Sequence, residues 1–252
     1  MTPATYAELA PWESRAGEGP TLRGRRSEAG SGPRLHFLHG NGFCGGVYWP
    51  MLKGLLPDYR LFTHDLEGHG ASDAPAAFSG TGAILRRVPQ VIAQQLPGEK
   101  VIGVGHSYGA AVTMAVAAKH PERFSALVLL DPIILPPMAW FWFRHSDKFG
   151  RNFMANAARR RRDRWASAEE AANKLRDRGI YKGWSEEALQ SFIAWATRDE
   201  GGERVLCCPK DIEASIFTQP VYPWRAIPQL KMPVLFLRGA QSYEFFLRTE
   251  TL

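Results

Sequence analysis

Residues 101–120 read VIGVGHSYGAAVTMAVAAKH, and the reading of this stretch decides the fold. Its opening VIGV is a short apolar run of the kind that forms a strand buried on both faces. From Tyr108 onward, small apolar residues continue to Lys119 and His120, which suit a helix C-terminus, and Pro121 ends the segment. Between strand and helix lies Gly105-His106-Ser107-Tyr108-Gly109, a G-x-S-x-G pattern in a strand-turn-helix setting. So sharp a turn crowds the backbone. Gly105 and Gly109 allow close approach, Ala110 and Ala111 let the helix sit against a sheet, and Ser107 is lifted into the open. The plainer reading is a serine that caps a helix after a tight turn.

Outward from this turn, apolar runs at residues 35–38, 60–63, 126–130 and 234–237 read as further buried strands. Helix-sized segments at 47–56 and 81–96 separate the first of them, and such alternation predicts an α/β fold: a mostly parallel sheet with helices on both faces. The rhythm breaks between Asp131 and Met232, where helical patterns occur without a convincing strand. Ser167 with Glu170 makes a capping box, and Ser185 precedes an acidic turn and a second apolar stripe. The chain therefore divides into a lead-in at 1–34 (flexible, or a poorly formed first hairpin), a core at 35–135, a helical cap insertion at 136–229 and a return to the core at 230–252.

At 252 residues, 45% hydrophobic and 22% charged, the chain suits one large globular domain and excludes disorder. The long apolar window at 126–143 carries Asp131 and three prolines, which argues against a membrane span. The N-terminus lacks the basic start and apolar core of a secretory signal, so a cytoplasmic protein is expected. The three cysteines, Cys44, Cys207 and Cys208, fit neither a disulfide framework nor a zinc site. Net charge is +6, but six arginines against one aspartate lie within residues 151–164. With Phe149, Phe153, Met154, Ala157 and Ala158 at helical spacing beside them, these arginines read as the solvated face of an amphipathic helix, and no nucleic-acid partner is expected.

Acyl transfer needs rigid N–H donors for a developing oxyanion. Tyr108, just after the serine, offers one. His39-Gly40-Asn41-Gly42 follows the strand at 35–38 and offers another, from Asn41 or Gly42. The loop after residues 60–63 reads Asp65-Leu66-Glu67-Gly68-His69-Gly70-Ala71-Ser72-Asp73. Together these three loops make the chain resemble the α/β-hydrolase fold superfamily, which shows H-G-x-x, D-x-x-G-H-G-x-S and G-x-S-x-G after successive strands. The resemblance runs from about Leu35 to Gly239. It implies that Ser107 is the nucleophile, that Asn41 and Tyr108 are the oxyanion donors, and that a cap covers the pocket of a small-molecule substrate, with no cofactor and no metal. His64, His69 and His106 read as loop-packing residues. Asp131 stands at a position where some hydrolases hold their acid, and is also a common type of turn or cap residue.

The family order is Ser, then Asp or Glu, then His on a late loop. Here no histidine lies beyond His145, Tyr243 and Glu244 occupy the place where the family commonly has its acid, and the sequence stops at Leu252. Asp131 and Glu244 are therefore both candidates for the acid. The expectation is a chain truncated before its last strand and helix, with poor ester turnover and an open sheet edge at 234–237 through which it self-associates. The tryptophans and phenylalanines at 140–143 open the cap, with Trp140 and Trp142 as candidate pocket residues. Such aromatics suit an apolar substrate, and they equally suit a cap that packs on itself. A non-catalytic protein that binds an apolar ligand under the cap is the rival reading. Dehalogenase or epoxide hydrolase chemistry is disfavoured, since it uses Asp where Ser107 stands.

Overall fold

The computed structural model describes residues 5–15, 19–28 and 30–242. In chain order the strands of the main body are β1 (Ala10–Ser14), β2 (Leu22–Arg26), β3 (Arg34–Leu38), β4 (Arg60–Asp65), β5 (Val101–His106) and β6 (Phe124–Leu130). Helices α1 (Trp49–Leu52), α2 (Thr81–Gln95) and α3 (Tyr108–Lys119) connect them. The insertion expected to form a cap holds α4 (Pro137–Ser146), α5 (Phe153–Arg160), β7 (Arg164–Trp165), α6 (Ala168–Leu175), α7 (Glu186–Trp195), β8 (Thr197–Glu200), β9 (Glu203–Leu206) and α8 (Lys210–Thr218); the chain then returns as β10 (Val234–Leu237).

Seven strands form one sheet in the order β1-β2-β4-β3-β5-β6-β10, and β4, β3, β5, β6 and β10 run parallel. Strand alternation divides the core. Leu38, Phe62, Leu127 and Leu129 pack against α2 and α3 on one face, while Leu35, Phe37, Leu61 and Val104 pack against Trp49 and Leu52 of α1 on the other. Helix α3 is buried from Tyr108 to Ala118, which its run of small residues permits. The chain crosses from β4 back past β3 to β5, so the loops after β3 and β5 leave the same sheet edge side by side. This topological switch point is where open α/β sheets bind ligands.

Two expectations are corrected. Ala10–Ser14 and Leu22–Arg26 are no flexible lead-in but an antiparallel strand pair joined through β2 to β4, as in the hairpin alternative. The insertion is not purely helical either, because β7, β9 and β8 form a small antiparallel sheet. Its polar, charged strands, Thr197–Glu200 and Glu203–Leu206, gave no apolar run to read. The predicted caps are formed: the Ser167 and Ser185 hydroxyls accept from the N–H of Glu170 and Ala188. The cap has its own core, with Trp165, Tyr181, Leu189 and Phe192 resting on Phe43 and Val47 of the main body. At the other side β10 exposes Leu235 and Leu237 and has no further partner strand among the described residues. Among the same residues no helix is long and apolar enough to cross a membrane.

Candidate active site

Ser107 has φ 54° and ψ −116°, a strained backbone between β5 and α3 that leaves its side chain partly exposed. Both flanking glycines are explained by what a Cβ would meet. At Gly105 it would lie 2.6 Å from Cα and N of Ala110 on α3, and at Gly109 it would collide with the carbonyl oxygens of Leu38 and His39 on β3. Helix α3 thus presses on both strands, and only glycine fits at the contacts. The turn is held by backbone alone, with the Ser107 N–H donating to Leu130 O at 2.9 Å and its carbonyl accepting from Ala111 N–H at 3.2 Å and Ile133 N–H at 3.4 Å.

The loop after β3 is stitched to the loop after β4 by two neutral imidazoles. His39 Nε2 accepts from Leu66 N–H at 3.0 Å while its Nδ1–H donates to Gly40 O. His69 Nε2 accepts from Gly42 N–H at 3.1 Å, with the Cys208 thiol 3.2 Å away, and its Nδ1–H donates to Glu67 O. Burial holds His39 well below the ordinary imidazole range and pushes His69 down to about 4, so both keep the lone pairs these bonds need. Asp65, pushed up to about 6 by burial, accepts from Gly45 and Ala71 N–H and closes the same corner. Glu67 is anchored by Ser79 N–H and by Arg87 of α2, 2.6 Å away. With Gly42 N–H committed to His69, the N–H groups of Asn41 and Tyr108 remain without acceptors among the described residues and are the pair available to an oxyanion.

Asn41, Tyr108, Ala111, Phe143, Met154 and Phe217 line an almost wholly apolar cleft of about 20 Å³, room for roughly one water. Tyr48 bridges the two loops: Gly40 N–H donates to its hydroxyl at 3.1 Å, and the hydroxyl donates to His106 Nδ1 at 2.7 Å. Neither Tyr48 nor the next contact has a sequence signature. Asn41 Nδ2 donates to Glu213 O on α8, and the Glu213 carboxylate is held at 2.8 Å by Arg161, which also donates to the Tyr181 hydroxyl. The insertion is thereby tied to the loop after β3.

This changes the expected role of the arginine run. Helix α5 ends at Arg160, and Arg161, with extended backbone, turns inward instead of joining a solvated face. The inward residues of α5 are Ala155 and Ala158; Phe149, in a separate turn, and Phe153 are exposed. Of the aromatics at 140–143, Phe143 lines the cleft. Trp140 does not: its Nε1 donates to Pro220 O, and it lines a separate open groove of about 830 Å³ with Phe141 and Trp224. Trp142 faces solvent, 49% exposed. One turn of α4 separates inner from outer face, and the run of four aromatics hid the division.

Asp131 ends β6 with φ 43°, and its Oδ1 accepts from Gly239 N–H at 3.1 Å and from the Ser242 hydroxyl at 2.7 Å. Its carboxylate thus sits at the same sheet edge as Ser107, binding the loop after β10. Glu244, the other candidate acid, lies outside the described residues. None of the seven histidines, all of them described, hydrogen-bonds the Ser107 hydroxyl. His36 and His64 face each other in the core at 3.3 Å, His39, His69 and His106 serve the loops, His120 pairs with Glu122, and His145 bonds Phe141 O. No cluster of three or more metal-ligating side chains occurs among the described residues.

Comparison with known proteins agrees with this fold. Residues 33–242 match the model of the alpha/beta hydrolase fold family. Residue identity is 36% over 132 residues with a pimeloyl-[acyl-carrier protein] methyl ester esterase of Nitrosomonas europaea, covering 52% of this chain and 50% of that protein. It is 38% over 105 residues with lipase LipV of Mycobacterium tuberculosis, covering 41% and 39%. The matches thus span half or less of these relatives' own length. A solved thioesterase domain from the curacin biosynthetic pathway superposes with TM-score 0.74 at 18% identity, covering 96% of this chain and 86% of that one. With the family's sheet order, its three loop motifs and its strained serine turn all in place across five-sixths of the sequence, the chain belongs to the alpha/beta hydrolase fold family.

Proposed function

We propose that the chain is a serine-type hydrolase acting on an ester or related acyl bond of a small, mostly apolar substrate, with Ser107 as its nucleophile. The observation that carries this reading is Ser107 itself, held at positive φ by backbone bonds alone, with the free N–H groups of Asn41 and Tyr108 on the two adjacent loops. Attack by the Ser107 oxygen on the acyl carbon would put the developing negative charge between those donors, and the apolar side chains lining the cleft match an acyl or alcohol part, which needs more room than the one-water space they now enclose. Asp131 is the acid of this reading. The esterase and lipase relatives support the substrate class. The edge of β10, unpaired among the described residues, offers a route to self-association.

A serine hydroxyl is a weak nucleophile unless a base takes its proton, and no imidazole among the described residues stands at Ser107. Hydrolysis of short p-nitrophenyl esters is therefore expected with kcat below ~1 s⁻¹, since ordinary rates need the full set of catalytic groups. The remaining rate should vanish in Ser107→Ala and rise on addition of free imidazole. A rate indifferent to Ser107→Ala would overturn the nucleophile. A Ser107-dependent kcat above ~1 s⁻¹ would show that a base is present after all. The same missing imidazole favours a second reading, a binder of apolar ligands; binding of an apolar fluorescent probe with no Ser107-dependent hydrolysis, with or without imidazole, would select it.

A further inference from the structure

Helix α4 is apolar on two sides. Its inner side places Phe143 in the cleft. At 3.6 residues per turn, Met138, Phe141 and Trp142 share an arc of roughly 100° turned away from Phe143, and they are 82%, 57% and 49% exposed. A helix at the surface of a globular protein ordinarily presents polar residues there. Phe149 and Phe153, 73% and 57% exposed, continue the same segment of cap. Exposed apolar residues scattered singly are unremarkable, but five large ones between residues 138 and 153 make a surface that asks for a partner.

The charges in this segment identify the partner. Residues 137–160 carry five cations, Arg144, Lys148, Arg151, Arg159 and Arg160, against the single acid Asp147. Asp147 is already taken by Arg159, with oxygens 2.8 and 3.0 Å from its guanidinium. Arg144, Lys148, Arg151 and Arg160 are exposed and make no ion pair among the described residues. A second copy of this face would oppose cation to cation, which disfavours self-association through it. An anionic bilayer meets both requirements at once: its interfacial layer takes up Trp, Phe and Met side chains while its headgroups pair with Lys and Arg.

We propose that the outer face of α4 and its continuation to Arg160 is a docking surface for anionic phospholipid membranes. The proposal stands independently of whether Ser107 hydrolyses anything. It also gives the two-sided helix a purpose, because α4 and α5 reach the cleft through Phe143 and Met154 and would turn their other side to lipid.

The test is sedimentation of the purified chain with vesicles of pure phosphatidylcholine and of phosphatidylcholine with 30 mol% (about one lipid in three) phosphatidylglycerol, at low and high salt. Each Lys or Arg close to an anionic surface adds about fivefold to partitioning, so the mixed vesicles should bind at least ~20-fold more protein than the neutral ones, and salt should weaken them. F141Q/W142Q and, separately, R144Q/K148Q/R151Q should each reduce binding at least ~10-fold while leaving the melting transition in place, since all five residues are exposed. L235Q/L237Q, on the β10 edge, should bind as the parent does. Absence of binding, equal binding to neutral vesicles, or insensitivity to either cap variant would overturn the proposal. So would a lipid-free dimer abolished by F141Q/W142Q, which would assign the face to a second copy of the chain.

Discussion

Strands β5 and β6 lie side by side and end on residues with the same unusual backbone sign, φ 54° at Ser107 and 43° at Asp131. Each end is pinned by the same device, its N–H donating to the last carbonyl of the next strand: Leu130 O for Ser107 at 2.9 Å and Leu237 O for Asp131 at 2.7 Å. What differs is who satisfies the rest of the turn. Around Ser107, glycines, helix α3 and two histidine-stitched loops do so, and the hydroxyl is left without a hydrogen bond among the described residues, as the proposed nucleophile needs. Around Asp131 the side chain does so itself, holding Gly239 and Ser242. Strain alone therefore does not single out Ser107; strain that the side chain takes no part in supporting does.

The largest expected effect separates the two ends by pH. The Ser107 side depends on neutral imidazoles, and the core adds His36, pushed down to about 3, and His64, also held low, both by burial. A histidine depressed in the folded chain is protonated first in the unfolded one, so between pH 6.5 and the folded value unfolding takes up protons and stability falls as pH drops. Asp65, at about 6 when folded against 3.8, acts oppositely, since the folded chain binds its proton first in that window. Four histidines outweigh one aspartate. Urea unfolding should show a loss of about 3 kcal/mol or more between pH 7 and 4.5, at up to about 1.4 kcal/mol per pH unit for each buried imidazole. A flat profile would mean that these imidazoles are protonated in the folded chain, and that the stitching of the loops is wrong.

Next in size is the backbone contact of α3. Gly109→Ala drives a methyl into the carbonyls of Leu38, the last residue of β3, and of His39 just after it, and Leu38 cannot withdraw without disturbing the ladders of β3 to β4 and β5. A loss of about 3 kcal/mol is expected, at the upper end for overpacking. A melting temperature unchanged by this substitution would show that α3 is free to shift, and that the tight packing is not what holds Ser107 at positive φ.

Most of this end of the molecule was legible in the sequence, for a physical reason. The strand-turn-helix around Ser107 is built from contacts close in sequence, and backbone crowding leaves glycine as the permitted residue at 105 and 109, so pattern and geometry are one constraint. The five apolar runs fixed the parallel strands because each is buried on both faces. Hairpin β1–β2 was harder to see: Arg23, Arg25 and Arg26 carry it, and its pairing with β4 is long-range. In the cap, the charged strands β8 and β9 and the inner and outer faces of α4 depend on what the segments pack against, which periodicity does not encode. Arg161 could be read only as one of a run, although the end of α5 a residue earlier sends it inward to Glu213.

The smallest effect tests the comparison most directly. Ser107→Ala removes a hydroxyl that makes no hydrogen bond among the described residues, and alanine suffers the same backbone strain as serine, so stability should change by less than ~0.5 kcal/mol. Asp131→Ala removes the acceptor of both Gly239 N–H and the Ser242 hydroxyl and should cost about 1 to 2 kcal/mol, one to two ordinary hydrogen bonds at a partly exposed site. Asp131→Asn keeps a carbonyl oxygen in the same place and should recover at least half of that. Asparagine also tolerates positive φ, so the backbone adds no penalty of its own. The pair of Asp131 variants further separates holding a turn from serving as the acid of Ser107. Asn conserves the first role and abolishes the second, so a Ser107-dependent rate measured with added imidazole should survive Asp131→Asn if the carboxylate only holds the loop. If the carboxylate orients or charges an imidazole, that rate should fall by up to about 10⁴-fold, with the melting temperature little moved. Equal stability losses in Ser107→Ala and Asp131→Ala would erase the distinction between the two strand ends.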